Sequence, residues 1–342
     1  MEKYILVTGG AGYIGSHTVV SLVENGYTPI ILDDFRNANR VVVDGLTKIL
    51  GKTPEIIETD VCDDEALRTI FQKYKFEGVI HFAAHKAVGE SVLEPLKYYQ
   101  NNLQGLVNVL SKMIAFNVQN FVFSSSCTVY GEPKGIKEMT EESPKNLPNS
   151  PYGWTKWIGE QIIEDTFRAN PQLKMMNLRY FNPVGAHKSL LIGEFPLGKP
   201  NNLLPYITQT AVGKQEKLTV FGNDYPTTDG TCIRDYIHVV DLAAAHVKAI
   251  SFLESQTGCL ETINVGTGKG SSVLEIIQAF EKETGQKLNW AFGPRREGDV
   301  TEIFANATKA KNVLGWQANL TIKDAVIDAW NWEKKLAENN EK

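Results

Sequence analysis

The run Tyr4-Ile5-Leu6-Val7-Thr8-Gly9-Gly10-Ala11-Gly12-Tyr13-Ile14-Gly15 decides how the rest of the chain is read. Its first five residues are apolar enough for a buried strand, and glycines crowd the seven that follow. Glycine there permits a tight turn, lets backbone N–H groups approach a phosphate closely, and lets a helix pack tightly on the strand. The next amphipathic stretch, Gly15–Asn25, aims its positive N-terminal end at the same point. Strand, glycine loop and helix in that order predict a dinucleotide pyrophosphate site at Gly9, Gly12 and Gly15.

Working outward, a second strand at Pro29–Leu32 ends in Asp33, about twenty residues past the glycines. A carboxylate at that place accepts hydrogen bonds from adenosine ribose hydroxyls and repels a 2′-phosphate. NAD is therefore expected rather than NADP, although Arg36 and Arg40 lie nearby. More β-rich runs follow at Glu55–Glu58, Gly78–Phe82, Phe121–Ser124 and Met175–Arg179, with helical stretches such as Asp64–Tyr74 between them. Such alternation predicts an α/β fold, a doubly wound parallel (Rossmann) sheet covered on both faces.

After Arg179 the texture changes. Asn182–Asn202 is rich in Gly, Pro and Asn and reads as loops leaving the sheet. We expect a dinucleotide domain over residues 1–182 and a smaller α+β substrate domain over 183–342. One further strand–helix unit, Tyr236–Val239 with Asp241–Leu253, returns residues 235–253 to the first domain.

The chain has 342 residues, 35 basic and 40 acidic, for a net charge of −5. That balance argues against a nucleic-acid partner, which calls for a broad basic face. No apolar run approaches the ~20 residues that span a bilayer, so no membrane association is expected. The amino terminus lacks the pattern of a signal peptide. Cys62, Cys127, Cys232 and Cys259 are scattered, which suits neither a metal site nor a disulfide framework and points to the cytoplasm.

The chemistry is expected where the fifth strand runs into Ser124-Ser125-Ser126, because ligands in an open parallel sheet bind beyond the strands' carboxyl ends. Downstream, a helix starting near Pro151 puts Tyr152 and Lys156 one turn apart on one face. A tyrosine of ordinary pKa near 10 is a poor base at neutral pH. A neighbouring ammonium, with a nicotinamide ring, favours the phenolate, and Ser126 would relay the substrate hydroxyl proton to Tyr152.

With these motifs in place, the chain resembles the extended short-chain dehydrogenase/reductase superfamily and, within it, the UDP-glucose 4-epimerases. The resemblance covers nearly the whole length. It rests on Thr8–His17, His81-Phe82-Ala83-Ala84, Lys86–Ser91, Ser124–Ser126 with Thr128–Gly131, and Arg179–His187. More specific still are Gly222–Thr227, Arg234-Asp235-Tyr236-Ile237-His238 and Pro294-Arg295-Arg296-Glu297-Gly298-Asp299.

The resemblance implies that NAD lies across Tyr13, Ile14, Asp33, Asp60, Val61, Phe82, Ala83, Ala84, Lys86 and Asn101, with Ser126, Tyr152, Lys156 and Phe181 also in contact. It implies a UDP-hexose held by Asn182, Asn202, Leu203, Val220, Phe221, Arg234, Tyr236, Arg296 and Asp299, besides Ser126 and Tyr152. Guanidinium groups suit a diphosphate, and Phe221 suits the uracil face. The implied reaction interconverts UDP-glucose and UDP-galactose: Tyr152, Lys156 and Ser126 act at hexose C4, the hydride passes to NAD, and the loosely held 4-keto sugar turns over before the hydride returns. A homodimer through Gln100–Ala115 and Tyr152–Asn170 is implied too.

Alternatives belong beside this reading. A nucleotide-sugar 4,6-dehydratase wants an Asp-Glu pair after the serine strand, where this chain has Cys127-Thr128. A non-catalytic NAD-binding regulator would be expected to lose Tyr152 or Lys156. Three departures from the family pattern are His85 near the cofactor, the Lys188–Leu191 loop, and Ile303, whose bulk bears on room for an N-acetyl group.

Overall fold

The computed structural model of the chain describes residues 2–340 apart from Lys134 and Glu297, so Glu297 of the motif quoted above lies outside the described residues. The first half runs β1 (Tyr4–Thr8), α1 (Tyr13–Glu24), β2 (Thr28–Asp33), α2 (Val41–Leu50), β3 (Glu55–Glu58), α3 (Asp64–Lys73), β4 (Phe76–His81), α4 (Val88–Leu93), α5 (Pro95–Ala115) and β5 (Asn120–Ser126). There follow β6 (Glu138–Met139), α6 (Pro151–Ala169), β7 (Lys174–Tyr180), β8 (Asn182–Val184), α7 (Leu203–Ala211), β9 (Leu218–Phe221), β10 (Ile233–Arg234) and β11 (Tyr236–His238). The chain ends with α8 (Val239–Glu254), β12 (Cys259–Val265), β13 (Ser271–Ser272), α9 (Val273–Thr284), β14 (Trp290–Gly293), β15 (Glu302–Ala305), α10 (Thr308–Leu314) and α11 (Ile322–Asn340).

Seven strands form one sheet in the order β12-β7-β5-β4-β1-β2-β3, parallel throughout. The chain builds outward from β1 through β2 to β3, then restarts on β1's other flank with β4. That reversal opens a crevice at the carboxyl ends of β1 and β4, where ligands bind in sheets of this kind. Apolar side chains explain both covered faces. Val19 and Leu22 of α1 meet Leu242 and Ile250 of α8 on one side. On the other, Leu67, Leu106, Val109 and Ile163 cover the sheet from α3, α5 and α6.

The strands expected from sequence are present, two with the expected bounds and the rest shifted by one or two residues at their ends. Of the strand–helix unit expected to return, α8 packs on the large sheet, whereas β11 pairs with β8 in a separate two-stranded sheet, and a later strand rejoins the large sheet instead. That strand is β12, outside the expected unit, which lies along β7 with Leu260 opposite Met175 and Val265 opposite Tyr180.

The remaining elements make a smaller α+β region over those strand ends. Its four-stranded sheet, β13-β10-β15-β6, gathers two- to four-residue strands from remote parts of the chain. A separate apolar core holds Leu204, Ile207, Leu218, Ile276, Phe280 and Val326. Among the described residues no helix is long and apolar enough to cross a membrane.

Candidate active site

The glycine loop has the shape its sequence calls for. Gly9 sits at φ +69°, and a Cβ there would lie 2.7 Å from the Ala83 backbone nitrogen. At Gly15 a Cβ would come within 2.3 Å of the Gly9 carbonyl oxygen. Gly12 caps α1 with no side-chain bond to its first N–H groups. Those donors point into the crevice at the positive helix end, ready for an anion.

Asp33 closes the crevice on the β2 side. Its carboxylate accepts hydrogen bonds from Ala11 N at 3.0 Å and Phe35 N at 2.9 Å. Burial nevertheless raises its pKa, since desolvation outweighs those two bonds. The nearby arginines are engaged elsewhere. Arg36 contacts Asp34 at 2.6 Å, Asn101 at 3.2 Å and Asp60; Arg40 pairs with Glu58. Neither guanidinium stands free to take a 2′-phosphate, so the cleft suits NAD over NADP.

Around the β4 end, Val61 is buried against Gly105, where an added Cβ would meet its Cγ1 at 2.6 Å. Phe82 donates its N–H to the Thr8 carbonyl (2.9 Å) and packs its ring 4.7 Å from that of His246. The His85 ring lies 5.4 Å from Tyr98, while Asn102 holds the His85 backbone through N–H at 2.8 Å and carbonyl at 3.0 Å. Asn102 also donates to Thr155 of α6 at 3.0 Å. Sequence reasoning passed over this buried asparagine, and the polar doublet Asn101-Asn102 inside an otherwise amphipathic helix was the available signal.

Lys86 reaches Glu194 at 3.2 Å, and the same carboxylate oxygen accepts from Asn202 at 2.6 Å. One glutamate, also passed over in the sequence, thus joins a lysine assigned to the cofactor and an asparagine assigned to the sugar nucleotide. The loop carrying it is well formed. Leu190 takes φ 59°, Ala186 bridges Gly193, and the Leu191 carbonyl presses on Gly45 of α2.

Helix α6 starts where Pro151 predicts, with the Ser150 hydroxyl accepting from Gly153 N at 3.2 Å. Its first turns bring Tyr152 and Lys156 onto the face next to β5. The Lys156 ammonium donates to the Ser124 carbonyl at 2.5 Å and lies 6.0 Å from the Tyr152 ring centre. Both groups are buried, and burial sets their titration. Lys156 is pushed down to about 7 and Tyr152 up to about 12, although the Ser126 hydroxyl works to lower the latter. The expected lowering of the phenol by its lysine neighbour is therefore not realised in the protein alone, because desolvation dominates.

The residues that the resemblance gives to the sugar nucleotide gather on the facing region. Arg296 binds Asp299 through two bonds of 2.8 and 3.2 Å, and Arg234 approaches the same carboxylate at 3.6 Å. Phe221 is 41% exposed with the Arg296 guanidinium 5.7 Å from its ring centre, whereas its neighbour Val220 is 1% exposed. Strand alternation points Val220 into the small core, so only Phe221 offers a side chain to a base. Tyr236 also packs in that core. Asn182 begins β8, and its N–H donates to the Asp235 carbonyl at 2.9 Å. Asn202 caps α7, directly before Leu203. Phe181 and Ile303 are buried in one apolar cluster with Val129, Tyr130 and Met139.

A glycine-cradled dinucleotide cleft facing a Ser–Tyr–Lys group defines an extended short-chain dehydrogenase/reductase. The family profile described as GDP-mannose 4,6 dehydratase matches residues 6–329. A UDP-glucose 4-epimerase from Yersinia pestis is 50% identical over 332 residues, 97% of this chain and 98% of that protein. The UDP-glucose 4-epimerase of Bifidobacterium longum, solved in complex with NAD+ and UDP, has 45% identity and a TM-score of 0.94, covering 97% of this chain and 98% of that one. That of Stenotrophomonas maltophila, with bound NAD and formylated UDP-arabinopyranose, has 44% identity and a TM-score of 0.95, covering 99% and 100%. The chain belongs to the UDP-glucose 4-epimerase family.

Proposed function

We propose that this protein interconverts UDP-glucose and UDP-galactose with NAD held in the cleft throughout. The observation that carries the reading is the placement of Tyr152 and Lys156 on one face of α6, against the Ser124–Ser126 strand end. The cleft suits NAD in two ways: glycines alone let the loop pack this tightly, since a Cβ at Gly9 would strike the Ala83 backbone and one at Gly15 the Gly9 carbonyl, and Asp33 stands where the adenosine ribose would lie. Gly9, Gly12, Tyr13, Ile14, Gly15, Asp33, Asp60, Val61, Phe82, Ala83, Ala84, Lys86, Asn101 and Phe181 would hold it. When bound, it accepts a hydride from hexose C4 and gives it back.

The chain's own residues do the rest. Tyr152 takes the C4 hydroxyl proton and later returns it, with the Ser126 hydroxyl between phenol and sugar. Positive charge brought close to a buried phenol lowers its pKa, so the base is activated only in the loaded site. Lys156, fastened to the Ser124 carbonyl, keeps its amine beneath the phenol. Arg234 and Arg296 bind the diphosphate, Phe221 stacks on the uracil, and Asp299 takes ribose hydroxyls. Asn182, Asn202, Leu203 and Tyr236 line the path between them. Binding concentrated on UDP leaves the hexose free to turn, which inversion at C4 requires.

A 4,6-dehydratase is disfavoured because Cys127, pushed up to about 11 by burial, supplies no base at neutral pH. Val107 and Ile114 of α5 are 41% and 42% exposed and support a homodimer through α5 and α6. Four free cysteines support a reducing, cytoplasmic setting. The test is direct: purified protein given UDP-galactose without added reductant should form UDP-glucose. Formation of a 4-keto-6-deoxy sugar, or no conversion by NAD-loaded protein, would overturn the reading.

A further inference from the structure

Behind the tyrosine and lysine lies a buried charged cluster that the reaction does not call on. Glu160, on α6 one turn past Lys156, is 3% exposed, and Arg179 on β7 is 4% exposed. The guanidinium forks onto both carboxylate oxygens, Nε to Oε1 at 2.8 Å and Nη2 to Oε2 at 2.6 Å. Lys145 adds 3.0 Å to Oε2, and the Ser125 hydroxyl donates to Oε1 at 2.6 Å. Such a pair loses most of its hydration, and well-packed apolar residues commonly serve stability equally well. A geometric role is the alternative account of its presence.

The sheet register supplies that role. Ser125 stands opposite Arg179 across β5 and β7, and Arg179 stands opposite Asn264 across β7 and β12. The three form one polar row, level with the strand ends that make the site. Tyr130 closes it, its hydroxyl accepting from Arg179 Nη1 at 3.1 Å and donating to Asn264 Oδ1 at 2.7 Å. Asn264 continues outward. It donates to the Met139 carbonyl at 2.8 Å, and its N–H donates to Glu141 at 2.7 Å. Met139 lies beside Ala305 in the small sheet, whose neighbouring strands carry Ile303 and Arg234.

We propose that Glu160, through its fork with Arg179 and its bond to Ser125, is a positioning residue that fixes Tyr152 and Lys156 relative to the sheet presenting the sugar nucleotide. Three consecutive serines then divide the work. The Ser124 carbonyl holds Lys156, the Ser125 hydroxyl holds Glu160, and the Ser126 hydroxyl faces the phenol. Two polar fastenings one turn apart, Lys156 to the Ser124 carbonyl and Glu160 to the Ser125 hydroxyl, define the rotation of α6 against β5 more closely than apolar packing and one bond would. The inference rests on Tyr152 as the base, and displacing a base by an ångström costs about 100-fold in rate.

The experiment uses full-length, NAD-loaded protein. Ser125→Ala removes one fastening and leaves the ion pair; Glu160→Gln keeps the shape and weakens the fork. Each should lower kcat for UDP-galactose by roughly 10- to 100-fold, with KM within about twofold. The acidic limb of the kcat–pH profile should move, and NAD content should stay at the wild-type level. Should Glu160→Gln fail to fold, Ser125→Ala decides alone. A Ser125→Ala enzyme with unaltered kcat and pH profile, or one whose lost activity tracks lost NAD, overturns the proposal. Tyr152→Phe in the same assay separates the two readings. Full turnover there overturns the base assignment and this proposal with it, whereas loss there beside an unaltered Ser125→Ala overturns this proposal alone.

Discussion

The two halves of the site are built by opposite strategies. On the cofactor side the main walls are ends of regular strands or the start of a helix: β1 and α1 around the glycines, β2 at Asp33, β5 at the serines. The opposite wall is assembled from loops and from two-residue strands such as β10 and β13, pinned by side chains. Asp235 shows how. Fully buried, it accepts from Thr267 N and Oγ1, Gly268 N and Ala305 N, and so ties the β10–β11 corner to two other segments. Where a hydride and a proton must move over fixed distances, rigid elements set the geometry; where a nucleotide has only to be gripped, cross-linked loops suffice.

The sharpest break in that contrast is Tyr152→Phe. It should keep the fold, NAD and UDP affinity while turnover drops by about 10³-fold or more; a variant within tenfold of wild type would remove Tyr152 from the chemistry. On the other wall, Arg296→Met should do the reverse. KM for UDP-galactose should rise by roughly 10- to 100-fold with a smaller change in kcat, and steady-state kinetics showing the loss in kcat alone would contradict its assignment to binding.

Lys156→Met sharpens the comparison through stability. The amine is pushed down to about 7 in the folded protein from an ordinary 10.5, so between these values the unfolded chain binds more protons. Stability of ligand-free protein then rises with pH across that window, by at most about 1.4 kcal/mol per pH unit. The variant should flatten the rise, and denaturant titrations at pH 7.5 and 9 with equal slopes for both proteins would refute it. Smallest is Ile303→Ala, which opens the buried cluster beside Phe181. It should raise turnover of UDP-N-acetylglucosamine relative to UDP-galactose by about tenfold, and an unchanged ratio would free Ile303 of any part in selecting the sugar.

How far the sequence carries the reading differs between the same two halves. Strands β1 to β5 and β7 are legible because each is an apolar run set off by turns, and α6 because Ser150 and Pro151 announce its start. Strand β12, Cys-Leu-Glu-Thr-Ile-Asn-Val, escapes because Glu261 and Asn264 interrupt its apolar pattern. The small sheet is hard to read from periodicity, since three of its four strands have only two residues. Within the site, Asp33, Tyr152 and Lys156 follow from spacing, whereas Arg234, Arg296 and Asp299 emerge only from motif resemblance. Glu194 needs the folded chain, because Lys86 lies 108 residues away, and the doublet Asn101-Asn102 marks Asn102 without revealing its partner His85, 17 residues away. The behaviour of Tyr152 was out of reach for the same reason, since burial is a property of the fold.

The carboxylate shared by Arg234 and Arg296 has a consequence for which anions are admitted. Two guanidiniums converge on one Asp299, so a lone inorganic anion would have to compete with a carboxylate already in place. A ligand carrying two linked phosphates would reach both guanidiniums at once, and its ribose diol would give Asp299 new partners. On the proposed assignment, the arrangement would favour a nucleoside diphosphate over common inorganic ions before any base or sugar is recognised.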